Sequence, residues 1–128
     1  MRSKSEKQRK AEPGDLSIAV EKRLGWHIIV LTGKFVVKTI ALVRKRFDAI
    51  ESGKSPSVAV DLTRVTQLDS SALTTILNFQ KRLGEKNGRV VVIGPDEGIR
   101  ETLFMVGFNL AVTIYSTRTE FEQSIDPK

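Results

Sequence analysis

Val58-Ala59-Val60-Asp61-Leu62-Thr63-Arg64-Val65-Thr66-Gln67-Leu68-Asp69-Ser70-Ser71-Ala72-Leu73 changes its hydrophobic period partway along. Val58, Ala59, Val60 and Leu62 make a short, nearly unbroken apolar run, which predicts a buried strand over Ser57 to Leu62. Beyond Leu68 the spacing becomes helical, with Ala72, Leu73, Ile76, Leu77 and Leu83 on one stripe running toward Asn87-Gly88. Asp69 stands at the junction, where a short carboxylate can accept hydrogen bonds from the unpaired N–H groups of a helix start. A buried strand that hands its chain to an amphipathic helix is the building unit of an α/β fold.

The unit repeats on both sides. Upstream, Leu16, Ile18 and Val20 alternate with Ser17, Ala19 and Glu21, and Gly25 separates them from the run Trp26 to Leu31. This predicts a hairpin of one half-wet edge strand and one interior strand, ended by Thr32-Gly33. From Val36, the apolar positions Ile40, Val43, Phe47 and Ile50 recur in steps of four and three, while Lys38, Arg44, Lys45 and Asp48 occupy the rest of the wheel. That predicts an amphipathic helix stopped by Ser52-Gly53-Lys54-Ser55-Pro56. Downstream, Arg89 to Ile93 reads as another buried strand closed by Gly94-Pro95-Asp96. Ile99, Leu103, Phe104 and Val106 then read as a helix ending near Gly107, and Val112, Ile114 and Tyr115 as a last short strand. Phe121 and Ile125, four apart, predict a terminal helix between Thr117 and Ile125. The order is β-β-α-β-α-β-α-β-α, a mixed, mostly parallel sheet of about five strands with about four helices, connected in the right-handed sense.

Bulk composition narrows the function classes. At 128 residues and 40% hydrophobic content the chain can bury one core, so one α/β domain is expected over 15–128 behind a basic arm at 1–14. The formal charge of +6 is concentrated in that arm: Arg2, Lys4, Lys7, Arg9 and Lys10 against Glu6 leave +4 in the first ten residues and +2 elsewhere. Such an arm reads as a solvated leader or as a weak attractor of anions. The absence of cysteine removes disulfide frameworks and thiolate metal sites, and no apolar run approaches the roughly 20 residues of a membrane span. A cytoplasmic protein without membrane insertion is expected.

Catalytic inventories are thin. The lone histidine, His27, sits in an apolar strand, where it reads as a structural residue before a general base. Ser52-Gly53-Lys54-Ser55 lacks the upstream glycine of a Walker loop and reads as a turn. Asp61 and Asp69 could flank a magnesium ion, but two acids without a third ligand point to no metal and no cofactor. The better candidate is Ser70. The first turn of a helix has unpaired N–H groups and about half a positive charge, so a phosphate there is held without unfolding the domain. The bland alternative is that Asp69 and Ser70 simply cap a helix.

Asp69-Ser70-Ser71-Ala72-Leu73 after a buried strand resembles the Asp-Ser-Ser-Gly-Leu signature of the STAS family, the anti-sigma factor antagonists. The likeness continues through Gly88 to Pro95, Ile99 to Leu103, Val106-Gly107-Phe108 and Ile114-Tyr115-Ser116, covering about Leu16 to Ile125. It implies a STAS domain that is not an enzyme. It further implies that Ser70, with Ser71 the second choice, is phosphorylated by an anti-sigma factor that is also a serine kinase, and that Asp69 and the surface around Ser71 and Ala72 support docking. A protein serine phosphatase is a further expected partner and direct binding of specific nucleic acid is not expected; the oligomeric state is left open, with a monomer favoured. Two departures stand out. Gly33-Lys34-Phe35-Val36 replaces the family's Gly-Glu-Leu-Asp, so Lys34 reverses the local charge, and Ala72 replaces a common glycine. Other readings are an unswitched STAS scaffold in a larger signalling or transport assembly, a small enzyme using Asp61 and Asp69, and a nucleic-acid binder working through its arm.

Overall fold

The computed structural model describes residues 15–53 and 56–126; the basic arm and the middle of the Ser52 to Pro56 turn lie outside the described residues. The described part opens with β1 (Leu16–Arg23) and β2 (Trp26–Phe35), an antiparallel pair closed by Leu24-Gly25. Both turn residues have positive φ, 51° and 85°, the backbone a two-residue hairpin needs to match strand twist. A 3-10 turn at Val37–Thr39 leads into α1 (Ile40–Glu51), followed by β3 (Ser57–Leu68) and α2 (Ser70–Gly84). β4 (Arg89–Ile93), α3 (Glu97–Met105), a second 3-10 turn at Phe108–Leu110, β5 (Thr113–Tyr115) and α4 (Arg118–Ile125) complete the order.

The five strands lie in sequence order, with β1 antiparallel and β2 through β5 parallel. This is the mixed sheet and the β-β-α-β-α-β-α-β-α order expected from the sequence. Strand side chains alternate between two apolar clusters. Ile29, Leu31, Val58, Val60, Leu62, Val90 and Val92 pack with α1, α2 and Leu103 of α3 on one face. Trp26, Ile28, Ala59, Val91 and Ile93 pack with Phe121 of α4 on the other. Phe47 of α1 stacks on Phe79 of α2 with centroids 3.9 Å apart and planes 7° off parallel, which sets the two helices side by side.

A buried carboxylate secures α4. Asp61, only 5% exposed, accepts from Arg118 at 3.3 Å, and the same guanidinium reaches Glu21 on β1 at 2.7 Å and Glu122 one turn along α4 at 2.9 Å. Burial alone would lower the Arg118 pKa, but the hydrogen bond and charge of Glu21, with Glu122 and Asp61, raise it.

Five sequence expectations need correction. β2 runs past Thr32-Gly33 to Phe35, and β3 runs past Leu62 to Leu68. The two strands stay paired there through irregularities between Val30 and Thr32 and between Gly33 and Lys34, which break the period-two pattern that marks a strand. β4 ends opposite Asp61, so this ribbon overhangs the sheet with one wet face. Val36 lies ahead of the 3-10 turn, and α1 proper starts at Ile40. α2 ends at Gly84, and Asn87, at φ 63°, reverses the chain after it. Phe104 and Val106, expected on the buried stripe of α3, are 45% and 63% exposed. α3 buries Leu103 alone, and Val106 is its C-cap, past the last helical residue.

Candidate functional site

Ser70 is the first residue of α2 and is exposed. Asp69 precedes it in an extended conformation, as N-cap: its Oδ1 accepts from the Ala72 N–H at 3.0 Å. Its Oδ2 accepts from the Val37 N–H at 2.9 Å, so one carboxylate clasps the loop after β2 to the tip of α2. Thr39 firms the same loop by accepting from the Val36 N–H and donating to the Lys34 carbonyl, at 3.0 and 2.7 Å. Asp69 therefore positions Ser70, with each carboxylate oxygen taken up by a backbone N–H.

A groove of about 440 Å³ opens between the N-terminal ends of α1 and α2. Val37, Ile40, Ala41 and Arg44, at helical spacing, line the α1 side, and Ser70, Ser71, Thr74 and Thr75 line the other. One wall is apolar with a single guanidinium, and the facing wall is made of hydroxyls. The Thr75 hydroxyl is committed to the Ser71 carbonyl at 2.8 Å. Ser71 is half-buried, which leaves Ser70 the more accessible of the two serines.

The other sequence candidates divide. Lys34 is exposed and paired across the overhang with Gln67, one position before the Phe35 and Leu68 pair that leads to Asp69, so it stands at the same end of the domain as Ser70. Ala72 is fully buried, so it can offer no surface to a partner; its methyl packs in the core beneath the helix start. Asp61 and Asp69 do not converge. Asp61 lies within β3, tied to Arg118 beside α4, and about 25 Å of strand separates the two at roughly 3.3 Å per residue. A magnesium site or a two-carboxylate mechanism at this pair is overturned. His27 pairs with Val58 near the start of β2, at the other end of that strand from Phe35. Burial, and then the charge of Lys22, lowers its pKa, and its Nδ1 is buried without a hydrogen-bond partner.

Arg44 escaped the sequence reading, which left it on the polar side of its helix. The signal was present in its spacing, four beyond Ile40 and seven beyond Val37, at the margin of the apolar stripe.

The comparisons with known proteins agree with this fold. A family model described as the STAS domain matches residues 17–121. An anti-sigma F factor antagonist of Paenibacillus polymyxa is 28% identical over 102 residues, covering 79% of this chain and 87% of that protein. An anti-sigma factor antagonist of Mycobacterium paratuberculosis shares the fold with a TM-score of 0.78 at 20% identity, covering 90% of this chain and 97% of the other. The anti-sigma factor antagonist SpoIIAA does so in its unphosphorylated form with a TM-score of 0.71 at 20% identity, covering 85% and 96%. The phosphorylated form of SpoIIAA, from Bacillus, gives 0.67 at 16% identity, covering 86% and 100%. Among the described residues no helix is long and apolar enough to cross a membrane.

Proposed function

The chain belongs to the STAS domain family, and on that premise we propose that it is an anti-sigma factor antagonist whose docking to a serine-kinase anti-sigma factor is switched off by phosphorylation of Ser70. The observation that carries this reading is the position of the Ser70 hydroxyl, exposed at the first turn of α2 and on the lip of a groove shared with α1. The partner supplies a nucleoside triphosphate. Ser70 Oγ bonds to its γ-phosphorus, the bond from that phosphorus to the departing nucleoside diphosphate breaks, and the hydroxyl proton is released. A protein serine phosphatase reverses the modification by hydrolysis.

The switch follows from charge at the contact. Phosphoserine carries about 1.5 to 2 negative charges at neutral pH, and a partner seated on the groove removes the water that solvates them. A hundredfold weaker contact needs about 2.7 kcal/mol, and burying an inadequately paired charge costs several kcal/mol. One phosphate is therefore sufficient without refolding the domain. Asp69 holds the helix tip and its loop in place, and exposed Lys34 contributes to which partner is accepted.

The test is to purify the tagged full chain from its own cells and map phosphate by peptide mass spectrometry. Phosphate on Ser70, its loss in Ser70→Ala, and loss of a co-purifying serine kinase in Ser70→Asp are expected. Phosphate that persists undiminished in Ser70→Ala, or a kinase that binds Ser70→Asp as it binds the natural chain, overturns the assignment. A chain that is never phosphorylated and stays in a stable complex is the unswitched scaffold.

A further inference from the structure

The interface between α1 and α2 is electrostatically matched at one end and unmatched at the other. At the far end Arg82 of α2 pairs with Glu51 of α1 at 2.9 Å and lies 3.9 Å from Asp48 of the same helix. At the groove end the cation is on α1 instead, Arg44, and the facing wall of α2 holds hydroxyls and no carboxylate. Among the described residues the Arg44 side chain makes no ion pair and no hydrogen bond. The other charged groups around the groove are already engaged or stand outside it. Asp69 is held by two backbone N–H groups, Lys38 lies 3.8 Å from Asp15, and Lys34 projects from the overhang of β2.

The geometry points to Arg44 as the internal counter-ion of phosphorylated Ser70, so that the phosphate closes the open end of the α1–α2 interface with a cross-helix ion pair. This rests on the reading of Ser70 as the modified residue and adds how the modified state is held. A guanidinium offers paired donors to phosphate oxygens, and the groove separating the two side chains leaves room for a phosphoryl group. The consequence is regulatory. One guanidinium offsets only part of the phosphate's charge of about 1.5 to 2, so the anion is held in place in the groove while the remainder still loses its water when a partner seats there.

The experiment needs no kinase. Phosphoserine is placed at position 70 of the full chain by stop-codon suppression, and the phosphate is titrated by phosphorus NMR at low salt. Its second ionisation lies near pH 6 in free phosphoserine. A nearby guanidinium favours the dianion, so the apparent pKa in Arg44→Gln is expected about half a pH unit above that of the natural sequence, with the difference shrinking in 0.5 M salt. Arg46→Gln is the control, because Arg46 is exposed on α1 and does not line the groove. Unmodified Arg44→Gln should melt with the natural chain, which shows that the fold is intact. Superimposable titrations of the natural sequence and Arg44→Gln, or an equal shift in Arg46→Gln, overturn the pairing. That failure would leave the Ser70 switch standing, whereas absence of phosphate in the cell would sink the switch and leave the pairing intact.

Discussion

Asp69 concentrates two jobs in one carboxylate, since it caps α2 through the Ala72 N–H and tethers the preceding loop through the Val37 N–H. Asp69→Ala removes both, and an N-cap alone is worth about 0.5–2 kcal/mol. We expect a loss of about 2 kcal/mol in urea unfolding, with faster amide exchange at Val37 and Ala72 and little change in β4. If only the Ala72 amide speeds up, the tether contributes nothing. His27 gives a pH dependence of known sign. Burial and Lys22 hold its folded-state pKa below the ordinary value of about 6.5. The unfolded chain therefore takes up this proton first as pH falls. Stability is level with respect to this group above pH 6.5 and declines below it until the folded-state value is passed. The urea midpoint should drop between pH 7.5 and 5.5, and His27→Gln should flatten that window; an equal drop in both proteins refutes the assignment.

At the scale of elements, α4 is held by Phe121 in the second apolar cluster and by the ion pairs of Arg118. Arg118→Ala leaves Asp61 buried without its counter-ion, a situation that costs several kcal/mol in dry interiors and less here, because Arg118 itself is 29% exposed. A loss of about 2–3 kcal/mol is expected, with part recovered by adding Asp61→Asn, as a double-mutant cycle of unfolding free energies would measure. Additive effects would mean that the pair does not couple. Gly33 secures the other end of the hairpin. It sits at φ 114°, and a Cβ there would drive into the Asp15 carbonyl. Gly33→Ala should cost about 1–3 kcal/mol in the same assay. The helices and the central strands could be read from apolar spacing because that spacing records burial on one face. The far halves of β2 and β3 could not. Thr32 to Phe35 and Thr63 to Leu68 are bulged and mostly wet, so neither alternation nor an apolar run marks them. Phe104 and Val106 misled for the opposite reason, being apolar at near-helical spacing although α3 buries Leu103 alone and Val106 lies past its last turn.

For the molecule as a whole, the serine at the tip of α2 could be placed from sequence because a cap residue and a change of period announce a helix start. The groove could not, since it arises from the packing of Phe47 on Phe79, residues far apart in the chain. That packing also predicts how the switch travels. Ser70 lies at the periphery of a core that α1, α2 and the sheet complete without it, so Ser70→Asp should keep the natural melting temperature within a few degrees. Amide shift changes should be confined to the Lys34 to Arg44 and Asp69 to Thr75 segments. Shifts spreading into β4 and α4 would indicate a conformational relay in place of a surface change. The overhang of β2 and β3 has an evolutionary corollary. Lys34 and Gln67, which face each other on this spur, lie beyond the registered pairing of β2 with β1 and of β3 with β4. Mutation at its exposed positions, such as Lys34 and Gln67, can rewrite whom the protein recognises with little effect on the core beneath, which makes that surface a place for paralogues in one cell to diverge and avoid cross-talk.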